Sequence, residues 1–131
     1  MEEKLLKIIE SNKNSVLLIE SNEDIVLPNS ISISSSIDSK DLGILSDVKG
    51  QKIPQWLMAL MLAEKKNKKI ILVINDIDQV DLEEQNKFVG LITFKGVNGY
   101  KFDSKTQIIL TCNDLNKVNE KLKNLVIIAK G

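Results

Sequence analysis

Two apolar runs in this sequence end in the side chains best able to do chemistry. Residues 70–78 read Ile-Ile-Leu-Val-Ile-Asn-Asp-Ile-Asp, and residues 108–113 read Ile-Ile-Leu-Thr-Cys-Asn. Asn75, Asp76 and Asp78 at the first end read as a residual metal site, and Asn113 at the second as its polar neighbour; these four are the candidate site residues. Such residues more often cap turns, and an Asx turn accounts for Asn113-Asp114 equally well. The remaining chemically notable residues have plain structural roles. Cys112 reads as a small buried hydrophobe, Trp56 as core before a stacking platform, Asp81 with Glu84 as a helix cap, and the lysines at 65, 66, 68 and 69 as a solvated helix end before a phosphate site. No nucleophile is paired with a base.

Composition narrows the chemistry further. The chain has 131 residues, no histidine, one cysteine, and a formal net charge of zero. Without histidine there is no Ser-His or Cys-His catalysis and no imidazole proton shuttle. One cysteine excludes an internal disulfide framework and a cysteine-based zinc site. All 18 basic residues are lysine, so there is no arginine finger and no bidentate guanidinium clamp on phosphate or guanine. Zero net charge argues against a dominant nucleic-acid role. No apolar run approaches the roughly 20 residues of a membrane span, and the amino terminus has no signal-peptide pattern, so the expected location is cytoplasmic.

The elements that would position the site follow from periodicity. Residues 2–10 form a short amphipathic helix with Leu5, Leu6, Ile8 and Ile9 on one face. Residues 15–20 are a strand buried on both faces, 21–24 a polar turn, and 30–36 a half-buried strand of alternating serine and isoleucine. Residues 38–52 show no period and read as a loop. Pro54 opens a helix carrying Trp56, Leu57, Leu60, Met61 and Ala63. A central strand at 70–74 precedes a helix capped by Asp81, with Phe88, Val89, Leu91 and Ile92 inward. A hairpin at Gly96, a third buried strand at 106–111, a helix at 115–124 and a last strand at 125–129 complete the chain. Buried strands separated by helices predict a single α/β domain over residues 1–131, with a mainly parallel sheet of about five strands and helices on both faces.

Order and spacing carry one further reading. The strand ending in Asn75-Asp76, the helix containing Gln85-Asn86, the Gly99-Tyr100 hairpin and the strand ending in Asn113 together resemble the Walker B to sensor-1 region of AAA+ ATPases, nearest their MoxR-like branch. The likeness extends over about residues 31–129, with residues 15–20 in the place of the first strand. It implies a truncated P-loop NTPase-type core with strand order 5-1-4-3-2. It also shows what is missing. In the family a Gly-Lys-Ser/Thr loop and a helix follow the first strand and hold phosphate through backbone amides and a lysine. Here Ser21-Asn22-Glu23-Asp24 follows, without glycine and with two negative charges.

The family's Walker B Asp-Glu corresponds to Asn75 and Asp76, its sensor-1 residue to Asn113, and its trans-acting arginine falls near Leu125. The lid over adenine has no counterpart. The resemblance thus implies a non-catalytic pseudo-ATPase module without cofactor or metal. It would act through protein–protein contacts, by self-association or by assembling with and regulating an active AAA+ ATPase. The alternatives are weak nucleotide or Mg²⁺ binding at Asp76, Asp78 and Asn113, and a DNA-associated replication or mobile-element accessory. Loss of the first helix predicts an exposed apolar patch around Val16 and Leu18, needing the amino-terminal segment, a second chain or another partner as cover.

Overall fold

A computed structural model describes residues 2–23, 25–43, 45–47, 50–66, 68–97 and 99–130. Asp24 of the predicted polar turn and Asn98 of the predicted hairpin lie outside the described residues. The helix α1 (Glu2–Ser11) leads into β1 (Leu17–Glu20), and β2 (Ser30–Ser34) follows without a helix between them. A short hairpin, β3 (Leu45–Asp47) and β4 (Gly50–Lys52), precedes α2 (Gln55–Lys65) and the central strand β5 (Ile71–Asn75). Then come α3 (Val89–Phe94), the β6 (Gly96–Val97) and β7 (Tyr100–Lys101) hairpin, β8 (Gln107–Cys112), α4 (Glu120–Lys123) and β9 (Ile127–Lys130).

The main sheet has five strands in the order β2-β5-β8-β1-β9, and every pair in it is parallel. Numbered along the chain, these strands run 5-1-4-3-2 from the β9 edge, the order that the resemblance implies. The predicted α/β class and parallel sheet are therefore what the chain forms. The sheet separates two apolar clusters. Leu18, Leu72, Ile74, Ile108 and Leu110 face α2, α3 and α4 through Leu57, Leu60, Leu91, Ile92 and Leu122. Leu17, Ile19, Val73 and Ile109 face α1 through Leu5 and Ile9, with Ile25 and Leu27 alongside.

No patch is left exposed around Val16 and Leu18, and of the three covers expected for β1 the amino-terminal segment is the one in place. Val16, Leu17, Leu18 and Ile19 are all buried, Leu17 to Ile19 completely. Val16 and Leu18 lie in the first cluster, under the helical layer, whereas Leu17 and Ile19 are covered by the helix before β1 and by the extended segment after it. Each buried Leu or Ile gains roughly 1.5–3 kcal/mol, enough to hold a ten-residue helix with little stability of its own.

Other departures from the sequence reading are local. Residues 38–52, expected as a loop, contain the β3–β4 hairpin, whose three-residue strands are too short to show a period. The helix expected from Asp81 is a 3₁₀ turn over Glu84–Phe88 that becomes α-helical only at Val89. Asp81 does cap it, its Oδ1 accepting the Glu84 N–H at 2.8 Å. Val89, Gly90, Ile92 and Thr93 are weak helix formers, which shortens the α-helical part. The helix expected at 115–124 is split, because Asn119 works as an N-cap for α4, accepting from the Leu122 N–H at 2.8 Å. Trp56 is half-buried against the core and donates its indole N–H to the Asp41 carbonyl at 2.8 Å. No helix among the described residues is long and apolar enough to cross a membrane.

Candidate functional site

The carboxyl ends of β1, β5 and β8 meet at a cavity of about 210 Å³ lined by Ser21, Glu23, Asn75, Asp76, Thr111 and Asn113, among others. This is where an open parallel sheet binds ligands, since the chain leaves the adjacent strands β1 and β8 toward opposite edges. Three of the four predicted site residues, Asn75, Asp76 and Asn113, line this cavity together.

Asp76 is the most constrained of them. Its backbone is left-handed, at φ 55° and ψ 51°, which a non-glycine residue adopts at a cost of about 1 kcal/mol. Two side chains fix it there. The Thr111 hydroxyl accepts the Asp76 N–H at 3.0 Å, and the Ser35 hydroxyl donates to the Asp76 carbonyl at 2.7 Å. Ser35 and Thr111 are both buried, and this clamp is what satisfies them. The Asp76 side chain remains exposed at the cavity. Asn75 closes β5, and its carbonyl accepts from the Ser35 N–H at 3.1 Å.

Asp78 does not line the cavity. Its Oδ2 accepts the backbone N–H groups of Asn113 and Asp114, at 3.0 and 2.9 Å. It therefore ties the turn after β5 to the turn after β8. The other oxygen, Oδ1, is buried without a hydrogen-bond partner. Glu20 does related work at the end of β1, with Oε2 accepting the Leu115 N–H at 2.9 Å and Oε1 lying 3.8 Å from the Lys130 ammonium. Both carboxylates are braces of the turn that follows β8.

The electrostatics of this end are negative. The Cys112 thiol is pushed up to about 12, first by burial and then by the carboxylates of Asp78, Glu20 and Asp114. At neutral pH it is a protonated, buried group and not a nucleophile. No lysine lines the cavity among the described residues, whereas Glu23 and Asp76 do. A phosphate here would meet the like charge of Glu23 and Asp76 with no lysine on the wall, among the described residues, to offset it. Among the described residues no three histidine, cysteine, aspartate or glutamate side chains are grouped to hold a metal ion.

The residues that assemble this end had no structural role assigned to them in the sequence, although Gln85-Asn86 is part of the resemblance. Gln85 is fully buried between the helical turns. Its Nε2 donates to the carbonyls of Val80 and Lys117 at 3.0 and 2.8 Å, and its Oε1 accepts the Asn119 N–H at 2.8 Å. One signal was available: Gln85 stands three residues before Phe88 on the inward face, a polar residue in an apolar row. Ser35 continues the inward alternation of Ile31 and Ile33, and Thr111 interrupts Leu110 and Cys112, but neither pattern says which backbone group the hydroxyl serves. No protein-family model and no curated protein matches the chain.

Proposed function

We propose that this chain is a non-catalytic domain built on an AAA+-like, P-loop NTPase-type core, and that it acts through protein contacts. The observation that carries the reading is the connection from β1 to β2. Residues 21–29 cross to the far edge of the sheet without a helix among the described residues, and Ile25 and Leu27 lie on the α1 side. The likeness in strand order supports the core. The acidic cavity where a phosphate loop would stand supports the loss of nucleotide chemistry. Asn75 and Asp76 then remain as turn-forming residues at the end of β5, and Asn113 as the head of the turn that Asp78 braces.

The surfaces available for contact are apolar. Phe94 is 74% exposed and borders a groove of about 760 Å³ between the turn at Ser39 and the β6–β7 hairpin. At the sheet edge, Ile127 and Ile128 of β9 are each 43% exposed on opposite faces, and an edge strand without proline or bulge is a template for pairing.

The test is light scattering and thermal melting of the purified protein, alone and with saturating ATP and Mg²⁺. The expected result is a mass and a melting temperature that ignore nucleotide. A melting temperature that rises with ATP refutes the non-nucleotide reading, because ligand binding to the folded state must stabilise it. For the regulatory version, a tagged protein is expected to bring down an active AAA+ ATPase from its source cells; recovery of none refutes that version.

A further inference from the structure

The opposite end of the sheet carries the opposite charge. A cavity of about 230 Å³ opens at the amino-terminal ends of β1 and β8, and Lys13, Lys95 and Lys101 line it together with Ser15 and Ser104. Asp103 is the one acid on this wall among the described residues, and its Oδ1 already accepts the Lys105 N–H at 2.9 Å. Glu10, the acid nearest in sequence to Lys13, is paired with Lys69 at 2.9 Å and feels Lys13 only as a weaker, more distant charge.

Two of these exposed lysines are placed by the backbone of one hairpin. Lys95 ends α3 in the left-handed conformation, at φ 51° and ψ 53°, where glycine or asparagine is usual. Its Nζ donates to the Asn14 carbonyl at 3.0 Å, and Asn14 is itself part of the cavity wall. That bond uses one of three ammonium donors and leaves two to face a ligand. Lys101 is the register partner of Gly96, the residue after Lys95. The two strands approach so closely there that a Cβ on Gly96 would sit 2.4 Å from the Tyr100 carbonyl oxygen. The Lys95 carbonyl accepts the Phe102 N–H at 2.9 Å, so Lys95 and Lys101 hold neighbouring positions of one tight hairpin, and both line the cavity.

We propose that this cavity binds a phosphate group, either as inorganic phosphate or at the head of a small phosphate monoester. Three ammonium groups and two hydroxyls supply charge and donors for its oxygens. The volume lies below the roughly 300 Å³ at which pockets begin to enclose drug-sized molecules, which favours a phosphate with little attached. The zero net charge of the chain argues against a long polyanion as the ligand.

Amide NMR titrations with sodium phosphate, with glycerol phosphate, and with sodium chloride at matched ionic strength test this. Saturable shifts at Asn14, Lys95, Lys101 and Ser104 are expected with either phosphate, and the tighter of the two identifies the source. Lys95→Gly keeps a residue suited to the left-handed position, so it is expected to fold while weakening phosphate binding about tenfold; Lys101→Gln weakens it similarly. Equal shifts with chloride, or unchanged affinity in both folded variants, would overturn the proposal. So would a short single-stranded oligonucleotide that displaces phosphate from these amides at far lower concentration, which would make nucleic acid the ligand.

Discussion

Replacing Gln85 with alanine tests whether the turn after β8 is held to the helical layer as described. Gln85 is completely buried, and its amide makes three hydrogen bonds, to Val80, Lys117 and Asn119. Each such bond contributes about 1 kcal/mol net, and losing it leaves a partly buried backbone group unpaired. Deleting the buried methylene adds about 1 kcal/mol. The expected loss is therefore about 3–4 kcal/mol, a large share of the 5–15 kcal/mol typical of a domain, and a fall in melting temperature of roughly 10–15 °C. Equilibrium urea denaturation reads this directly, with the midpoint lowered and the slope unchanged. Gln85→Met separates the terms, since it keeps the side-chain volume and loses only the hydrogen bonds; about 2–3 kcal/mol is expected. A loss below about 1 kcal/mol for Gln85→Ala would refute the reasoning, because water would then be serving the three backbone groups as well as the amide does.

Three further outcomes follow from the geometry. The phenol of Tyr100 is pushed up to about 12 by burial and then by the Glu64 carboxylate that accepts its hydroxyl. As the single tyrosine it is read cleanly by ultraviolet absorbance, and a midpoint near 10 would contradict the contact. The unfolded chain loses this proton first, so the group's contribution to stability is complete below about pH 10 and is lost as pH rises toward 12. Cys112, the single cysteine, is expected to resist a thiol-reactive probe at pH 8 in the native protein and to label at once in urea; full labelling of the folded protein within minutes would refute its burial. Leu5→Ala in α1 is expected to cost about 2–3 kcal/mol and to raise binding of an apolar dye, with Leu5→Asp driving self-association; an unaltered Leu5→Asp protein would mean that α1 does not cover the sheet.

Much of the fold was legible because the parallel strands bury both faces. Residues 70–74 are a continuous apolar run and 108–110 form the apolar centre of 106–111, each too short for a helix and bounded by polar residues, the profile of a strand buried on both faces. The helical layer was less legible, for two reasons. Asn119 is a weak helix former and a strong cap, so a single stretch of helical composition divides at it. The turn at 84–88 is shaped by a side chain reaching 32 residues along the chain, from Gln85 to Lys117, which no local pattern records. The end-of-strand site was legible as a location and not as a set of roles. Asn75, Asp76 and Asn113 do converge, but Asp78 faces backbone amides, and the clamp on Asp76 comes from Ser35 and Thr111. Short polar side chains at strand ends look alike in sequence whether they face solvent or a neighbouring turn.

The cover over Leu17, Ile19 and Ile109 explains why point changes alone would not give this sheet a phosphate loop. The connection from β1 to β2 crosses on the α1 side, where Ile25 and Leu27 pack beside Leu5 and Ile9. A phosphate-binding loop needs a helix directly after it, because the helix amino terminus supplies the amides and the partial positive charge. A helix placed in that connection would lie on the same face, and α1 already fills it. Glycine and lysine introduced at Ser21 to Glu23 would meet the right strand end without the helix behind them. A longer connection would have to displace α1 and expose Leu5 and Ile9 in turn. On the proposed reading, the acidic turn and the amino-terminal helix are two parts of one arrangement, in which the β1 face is covered from the helix before it and the end of β1 is freed from holding an anion.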